Sequence, residues 1–294
     1  MYNFFCALCP VLCMTFVFFV FPSSYSLAKN KRTIRVLTYN VWYGFTKEKA
    51  RKTDWLSYVK SLNTDIVALQ ELNTYTKERL AEDARALGHP YSFLLKESGF
   101  STGIISRFPI NDIKKVFSGY HHGMLSCKTG GMYVYVVHLH PGHWEIRHRE
   151  IDILLKEVRR HKPKDSVLLL GDFNTFSHRD QNYYDNETDL IPFFKSLDER
   201  WKSNRNLRDE KLDFSHIERI EDANFVDLVA MKRKVFLGTF PTKLRSAEDN
   251  GPSRRLDYFF ANETLSARCI KAEYLVNSLT DILSDHYPAI AEFN

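Results

Sequence analysis

The chain has 294 residues, with 41 Lys+Arg against 36 Asp+Glu, and 44% of it is apolar; this supplies a large core and excludes intrinsic disorder and fibrous classes. A formal net charge of +5 without a long run of Lys or Arg argues against a protein whose main task is coating nucleic acid, and leaves negatively charged substrates open. Two domains would fit the length, but α/β and two-sheet folds run to about 250 residues as one unit, and a single domain is expected.

Residues 1–28 contain no charged side chain, Thr15-Phe16-Val17-Phe18-Phe19-Val20-Phe21 is an apolar run closed by Pro22, and Ser26-Leu27-Ala28 supplies the small residues of a signal-peptidase site. A secretory signal over 1–28 is expected, leaving 29–294 as the folded body. The stretch 4–21 is close to spanning length and lacks a basic n-region, so an uncleaved membrane anchor is the alternative. The body is expected to be secreted or periplasmic, or membrane-anchored if the signal stays. Cys6, Cys9 and Cys13 leave with the signal, and Cys127 and Cys269 are too few for a disulfide-built scaffold. These two either pair in an oxidising compartment or remain buried thiols.

Residues 35–40 are rich in strand formers and stop at a polar residue. Asp54 is placed to cap a helix carrying Trp55, Leu56, Val59 and Leu62. Residues 65–71 form an apolar run that ends in a carboxylate and predicts a strand buried on both faces. Further strands are predicted at 102–106, 132–138, 167–170, 256–261 and 289–293, with turns around Gly123 and Gly130-Gly131. Ile151, Leu154, Leu155 and Val158 fall on one helix face. The charged segment 198–222 predicts a surface excursion. Strands interleaved with amphipathic helices imply a layered α/β protein.

Polar residues end the apolar strands, where a buried carboxylate or amide needs a partner or a metal. They are Asn40, Glu71, His138 and His140, Asp172 and Asn174, Asp285 and His286, and Asp257 within Leu256-Asp257-Tyr258-Phe259-Phe260. Carboxylates with histidines and amides, and almost no cysteine, suit a hard divalent cation and general acid-base work. One or two carboxylates hold Mg²⁺, which takes phosphate oxygens as further ligands. Metal-assisted phosphoester hydrolysis follows as the reaction class.

The series Thr38-Tyr39-Asn40-Val41-Trp42, Leu69-Gln70-Glu71-Leu72, Ser101-Thr102-Gly103-Ile104-Ile105-Ser106-Arg107-Phe108-Pro109, Val137-His138-Leu139, Gly171-Asp172-Phe173-Asn174, Arg255-Leu256-Asp257-Tyr258-Phe259 and Ser284-Asp285-His286-Tyr287-Pro288 resembles the ordered motifs of the endonuclease/exonuclease/phosphatase superfamily. The resemblance implies a four-layer α/β/β/α sandwich in one catalytic domain, and an enzyme that hydrolyses phosphodiesters or phosphomonoesters with Mg²⁺, or Mn²⁺ in its place. It implies that Glu71 binds the metal, with Asn40 beside it and Asp285 in the metal region. Asp172 orients or deprotonates the attacking water, Asn174 contacts the phosphate, and His286, held by Asp257, stabilises or protonates phosphoryl charge. His138 stands where other members help the leaving group or the phosphate, although many have a polar residue where this chain has Val137. The implied partner is a phosphate-ester substrate, with nucleic acid, phospholipid and inositol phosphate as candidate classes, and no obligate protein partner.

Two other readings compete. His138, His140 and His143 match the spacing of a zinc-hydrolase motif, HxHxDH, but Gly142 stands at its Asp position. A non-catalytic binding protein on the same fold would leave motif positions vacant, and none is. His143 and His148 otherwise read as substrate-side or surface histidines, with surface the expectation. Loop 238–252 is expected to border the site. Arg254-Arg255 and Lys232-Arg233-Lys234 are either phosphate contacts or solvated faces.

Overall fold

The computed structural model describes residues 1–2, 33–245 and 247–294, without the side chains of residues 247 and 248. Contacts divide the chain into residues 1–31 and 32–294, and every element below belongs to the second unit. The expected signal or anchor, with Cys6, Cys9 and Cys13, lies outside the described residues, Met1 and Tyr2 apart.

Strands form where apolar runs occur. The first half of the unit holds β1 (Ile34–Asn40), helix α1 (Arg51–Ser61), β2 (Ile66–Gln70), α2 (Lys77–Ala86), β3 (Tyr91–Leu94) and β4 (Gly103–Ser106). It continues with β5 (Asn111–Val116), β6 (Met124–Thr129), β7 (Met132–His138), α3 (Trp144–Val158), β8 (Val167–Asp172), α4 (Gln181–Asn186), α5 (Leu190–Arg200) and α6 (Ser215–Asp222). The remaining strands are β9 (Phe225–Asp227), β10 (Asp257–Asn262), β11 (Cys269–Tyr274) and β12 (Ala289–Phe293). Two six-stranded sheets result, ordered β11-β12-β1-β2-β4-β3 and β5-β6-β7-β8-β10-β9.

Side chains alternate across a strand, and both faces are used. Val36, Ile66, Ala68 and Ile104 of the first sheet meet Val134, Val136, Leu168 and Phe259 of the second in one buried cluster between the sheets. Leu37, Tyr39, Val67 and Leu69 face outward onto Trp55 and Val59 of α1 and Leu80 and Ala84 of α2. Tyr135, Val137, Leu169 and Phe260 face Ile151, Leu154, Leu155 and Val158 of α3, with Ile217 and Ile220 of α6. The architecture is the α/β/β/α sandwich, and central strands such as β2 and β8 are buried along their whole length, as strands covered on both faces must be.

The structure corrects three expectations. Asp54 does not cap α1, which starts three residues earlier at Arg51; Asp54 sits in its first turn, where an acid favours the helix dipole. Segment 198–222 is only partly a surface excursion, because α5 runs to Arg200 and α6 buries His216, Ile217 and Ile220. Its charges lie on one face of α6 and hide the apolar spacing of the other. The second strand ends at Gln70, leaving Glu71 as the next residue with φ 59°, a left-handed backbone that non-glycine residues adopt rarely. Cys127 and Cys269 are both buried free thiols. Among the described residues, no helix is long and apolar enough to cross a membrane.

Candidate active site

The strand registers bring the polar strand ends to one rim. In the second sheet, His138 lies opposite Asp172 across the parallel β7 and β8, and Asp257 lies opposite Asp172 across the antiparallel β8 and β10. The three form a row. In the first sheet, Asn40 ends β1 opposite Gln70, Glu71 follows, and Asp285 and His286 lie just before β12, which pairs antiparallel with β1. Gly171 lets the row form: it has φ 131°, and a Cβ there would stand 2.1 Å from the Val137 carbonyl oxygen.

Hydrogen bonds tie the two sheets together at this rim. Asn40 Nδ2 donates to Glu71 Oε1 at 3.3 Å and to Asp172 Oδ2 at 3.1 Å, while Asn40 Oδ1 accepts the Trp42 N–H at 3.1 Å. Asn40 therefore turns its amino group toward the acids. Glu71 Oε2 accepts the Tyr43 N–H at 2.9 Å. Asp172 Oδ1 accepts the Asn174 N–H at 2.9 Å, and Asn174 Nδ2 donates to the Leu139 carbonyl at 3.0 Å. His286 Nδ1 meets Asp257 Oδ2 at 2.8 Å, and its Nε2 lies 3.8 Å from Asp172 Oδ2. His138 Nε2 lies 3.6 Å from the same Asp172 oxygen. Ser284 Oγ donates to the Asn40 carbonyl at 2.7 Å, joining the last loop to the first strand.

Burial and charge set the protonation states. Burial alone would discharge His286, but Asp257, Asp172 and Asp285 outweigh it and raise its pKa to about 10, so it is an imidazolium at neutral pH. Burial pushes the Asp172 carboxyl upward, partly offset by His286. His138 moves the other way: burial, and then the neighbouring His122 and His286, hold it well below the ordinary range, so it is neutral. Burial and then the Asp285 charge raise Glu71; burial raises Asp285, eased by His286 and Arg245.

The rim carries donors that fit a divalent cation. Among the described residues, neither Glu71 nor Asp285 has a Lys or Arg within ion-pair distance, and the half-buried Glu71, raised by the charge of the buried Asp285, needs a positive charge beside it. Asp172, Asp257 and His286 also bring one ligand atom each within 4.8 Å of one another, although the 2.8 Å His286–Asp257 contact already engages two of those atoms.

These groups open into a cleft of about 400 Å³. Its lining includes Tyr43, Phe100, His121, His122, His138 and His140, the apolar Phe176, Phe194, Leu197, Phe240 and Leu256, and Arg147, Arg254, Asn204 and Asn206. Phe240 belongs to the loop expected to border the site and packs 4.8 Å from the His286 ring.

The histidine wall does not match the zinc reading. Among the described residues, His138, His140 and His143 are not a group with mutually close ligand atoms. His140 Nδ1 accepts the Gly142 N–H at 3.1 Å, the His140 and His143 rings stand 6.1 Å apart, and His138 stacks on His122 at 4.3 Å. His143 and His148 are half-buried rather than surface residues. His121, His122, Tyr43 and Phe100 were not foreseen from sequence. Nor was Glu150, a buried acid of α3 that accepts the His121 and His140 N–H groups, each at 2.8 Å, and so holds both histidine loops.

The two neighbouring arginines separate. Arg255 is fully buried and paired with Asp180 at 2.6 Å and with Asp227, so it is neither a phosphate contact nor a solvated charge. Arg254 faces the cleft. Arg233, from the other basic cluster, pairs with Asp180.

A family model described as "Endonuclease/Exonuclease/phosphatase family" matches residues 37–286, a span that includes every rim residue from Asn40 to His286. Similar solved structures include an AP endonuclease from Archaeoglobus fulgidus, at 17% identity and TM-score 0.65, covering 89% of this chain and 99% of that one. A 3′ phosphatase, NExo, from Neisseria bound to a product DNA hairpin matches at 18% identity and TM-score 0.62, covering 89% and 99%. D. rerio TDP2 complexed with a single-strand DNA product matches at 17% and 0.63, covering 89% and 99%. At such identities the likeness establishes the fold. No curated protein matches the chain.

Proposed function

The chain belongs to the endonuclease/exonuclease/phosphatase family and is a hydrolase of phosphoester bonds; from that premise we propose an exported, Mg²⁺-dependent phosphoesterase, with Mn²⁺ as a substitute, that attacks phosphorus with water. The observation that carries the mechanism is the buried His286 ring, 2.8 Å from Asp257 and 3.8 Å from Asp172 in the lining of the cleft.

Glu71 and Asp285 hold the cation, with Asn40 tying Glu71 to Asp172. When bound, the cation neutralises these acids and polarises a phosphate oxygen as a Lewis acid. Asp172 is fixed through both oxygens, by the Asn174 N–H and the Asn40 amide, and its burial-raised pKa lets it accept a proton from the attacking water. His286 donates Nε2–H to the charge that develops on the phosphoryl oxygens, while Asp257 fixes the ring through Nδ1. Neutral His138, whose Nδ1 has no partner among the described residues, positions a phosphate or leaving-group oxygen through Nε2 rather than supplying a proton. Asn174 completes the phosphate contacts.

Nucleic acid is the favoured substrate class. The half-buried rings of Tyr43 and Phe100 in the cleft lining offer faces on which bases stack, and two of the similar structures hold DNA products. Phospholipid and inositol phosphate are the other outcomes of the test. That test is turnover by the purified protein with Mg²⁺ against DNA, RNA, sphingomyelin, inositol phosphates and a generic phosphodiester, before and after chelation. Turnover that survives exhaustive chelation refutes the mechanism, and recovery with Zn²⁺ but neither Mg²⁺ nor Mn²⁺ refutes the metal assignment. Residues 29–294 are the catalytic domain in this reading, and 1–28 direct export; N-terminal sequencing of the mature protein checks the boundary after Ala28.

A further inference from the structure

Among the described residues, buried guanidinium groups have an acid within ion-pair distance, with two exceptions, and both line the same cleft. Arg255 has Asp180 and Asp227, and Arg51 has Glu48. Arg147 and Arg254 are 2% and 7% exposed, yet among the described residues neither has a carboxylate within ion-pair distance. Their partners are neutral. Arg147 Nη1 donates to the carbonyls of His140 and Pro141 at 3.0 and 3.3 Å, and its Nε has no partner. Arg254 Nη1 donates to the carbonyls of Asn250 and Pro252 at 2.7 and 2.9 Å, and its guanidinium lies against the Phe240 ring at 4.6 Å.

Carbonyls satisfy N–H geometry without cancelling charge, and an uncompensated buried charge is costly. The electrostatics follow this difference. Burial lowers the pKa of Arg147 and of Arg254 to about 10, whereas at Arg255 the two carboxylates overcome burial and raise it. Both cleft arginines are still cations at neutral pH. Glu150, three residues beyond Arg147, already accepts two backbone N–H groups. Asp172, with Glu150, Asp213 and Asp198 at Arg147 and with Asp285 at Arg254, acts on them only from beyond ion-pair distance, and an anion entering the cleft would supply the direct partner.

We propose that Arg147 and Arg254, with the amide of Asn204, form a second anion subsite, so that the substrate carries a second phosphate besides the one hydrolysed. This rests on the phosphoester reading above. Two sources share that chemistry, the terminal phosphate of a nucleotide strand and the second phosphate of a small bisphosphate.

The test compares two pairs of substrates on the full chain with Mg²⁺: a dinucleotide with and without a terminal phosphate, and a polyol bisphosphate against its monophosphate. One pair should show a preference in kcat/KM of at least about tenfold for the doubly phosphorylated member, the scale of one charge-assisted hydrogen bond, and that pair identifies the source. Arg254→Met should bring the ratio close to unity, and Arg254→Lys, which keeps the charge but loses the fork, should reduce it at least a few fold. Equal rates within both pairs, or a preference that both variants leave intact, overturn the subsite. If Arg254→Met does not fold, the Lys variant decides alone. Calorimetric titration of inorganic phosphate into the metal-loaded protein separates this inference from the reading beneath it. Two phosphate sites, one of them lost in the Arg254 variant, support the subsite even if none of the esters turns over, and a single site counts against it even if turnover is observed.

Discussion

Replacing Asp257 by Asn tests the central pair of the site. The substitution is nearly isosteric, and an amide oxygen can still accept the His286 Nδ1–H, so the fold loses little while the negative charge is lost. Two carboxylates near His286 can be compared directly: Asp257 at 2.8 Å from Nδ1 and Asp172 at 3.8 Å from Nε2. At an effective dielectric of about 20, unit charges at those separations attract by about 6 and about 4 kcal/mol. Asp257 therefore supplies the larger share of what keeps a buried imidazole charged, and losing one adjacent opposite charge moves a pKa by about 1 to 3. The sign follows from the raised value. A pKa of about 10 leaves His286 protonated through neutral pH, and activity that needs imidazolium falls as pH rises through that pKa. In Asp257→Asn the pKa drops, so the alkaline limb of the kcat/KM profile should move down by about 1 to 3 pH, with a melting temperature close to the parent's. The assay is a pH–rate series from about 5 to 11 on parent and variant, with thermal melts of both. An unshifted alkaline limb together with a lower melting temperature would refute the pairing and make Asp257 a structural acid.

His286→Ala should lower turnover at least about 10²-fold, the scale for a positioned acid-base group, whereas His143→Ala should have little effect; the opposite ranking in steady-state assays would revive the histidine cluster as the metal centre. Gly171→Ala should destabilise the protein by several kcal/mol, since its Cβ would meet the Val137 carbonyl at 2.1 Å and φ is 131°; a denaturant midpoint equal to the parent's would show that the β7–β8 approach is not as close as described. Arg255→Met should cost about 3–5 kcal/mol, because Asp180 and Asp227 would stay buried without their shared partner, and a loss under about 1 kcal/mol by chemical denaturation would contradict the buried network.

Much of the rim is legible in sequence because most of its polar residues sit at one end or the other of an apolar run. The row His138, Asp172 and Asp257 consists of polar residues attached to strands that periodicity already marks, and register then does the aligning. The histidine wall is different. His121 and His122 lie in a turn with no periodic signal, and their placement depends on Glu150, which is 29 residues from His121 in sequence. Arg254 and Arg255 show the same limit, since identical neighbours meet opposite surroundings. Just ahead of β10, Arg255 turns inward to acids 75 and 28 residues away, while Arg254 stays beside the cleft. The burial of α6 was obscured because its charges outnumber its apolar residues, and only the position of the second sheet reveals which face counts.

The bond from Ser284 to the Asn40 carbonyl spans 244 residues, and β12 lies against β1. During synthesis, the first strand must therefore wait for almost the whole chain before it gains its outer neighbour. Asn40, Glu71 and Asp172 are all made well before Asp285 and His286, and until the latter emerge the acids have no imidazolium opposite them. At about 5–20 residues added per second, a nascent chain that has not reached residue 285 still lacks both Asp285 and His286 at the rim.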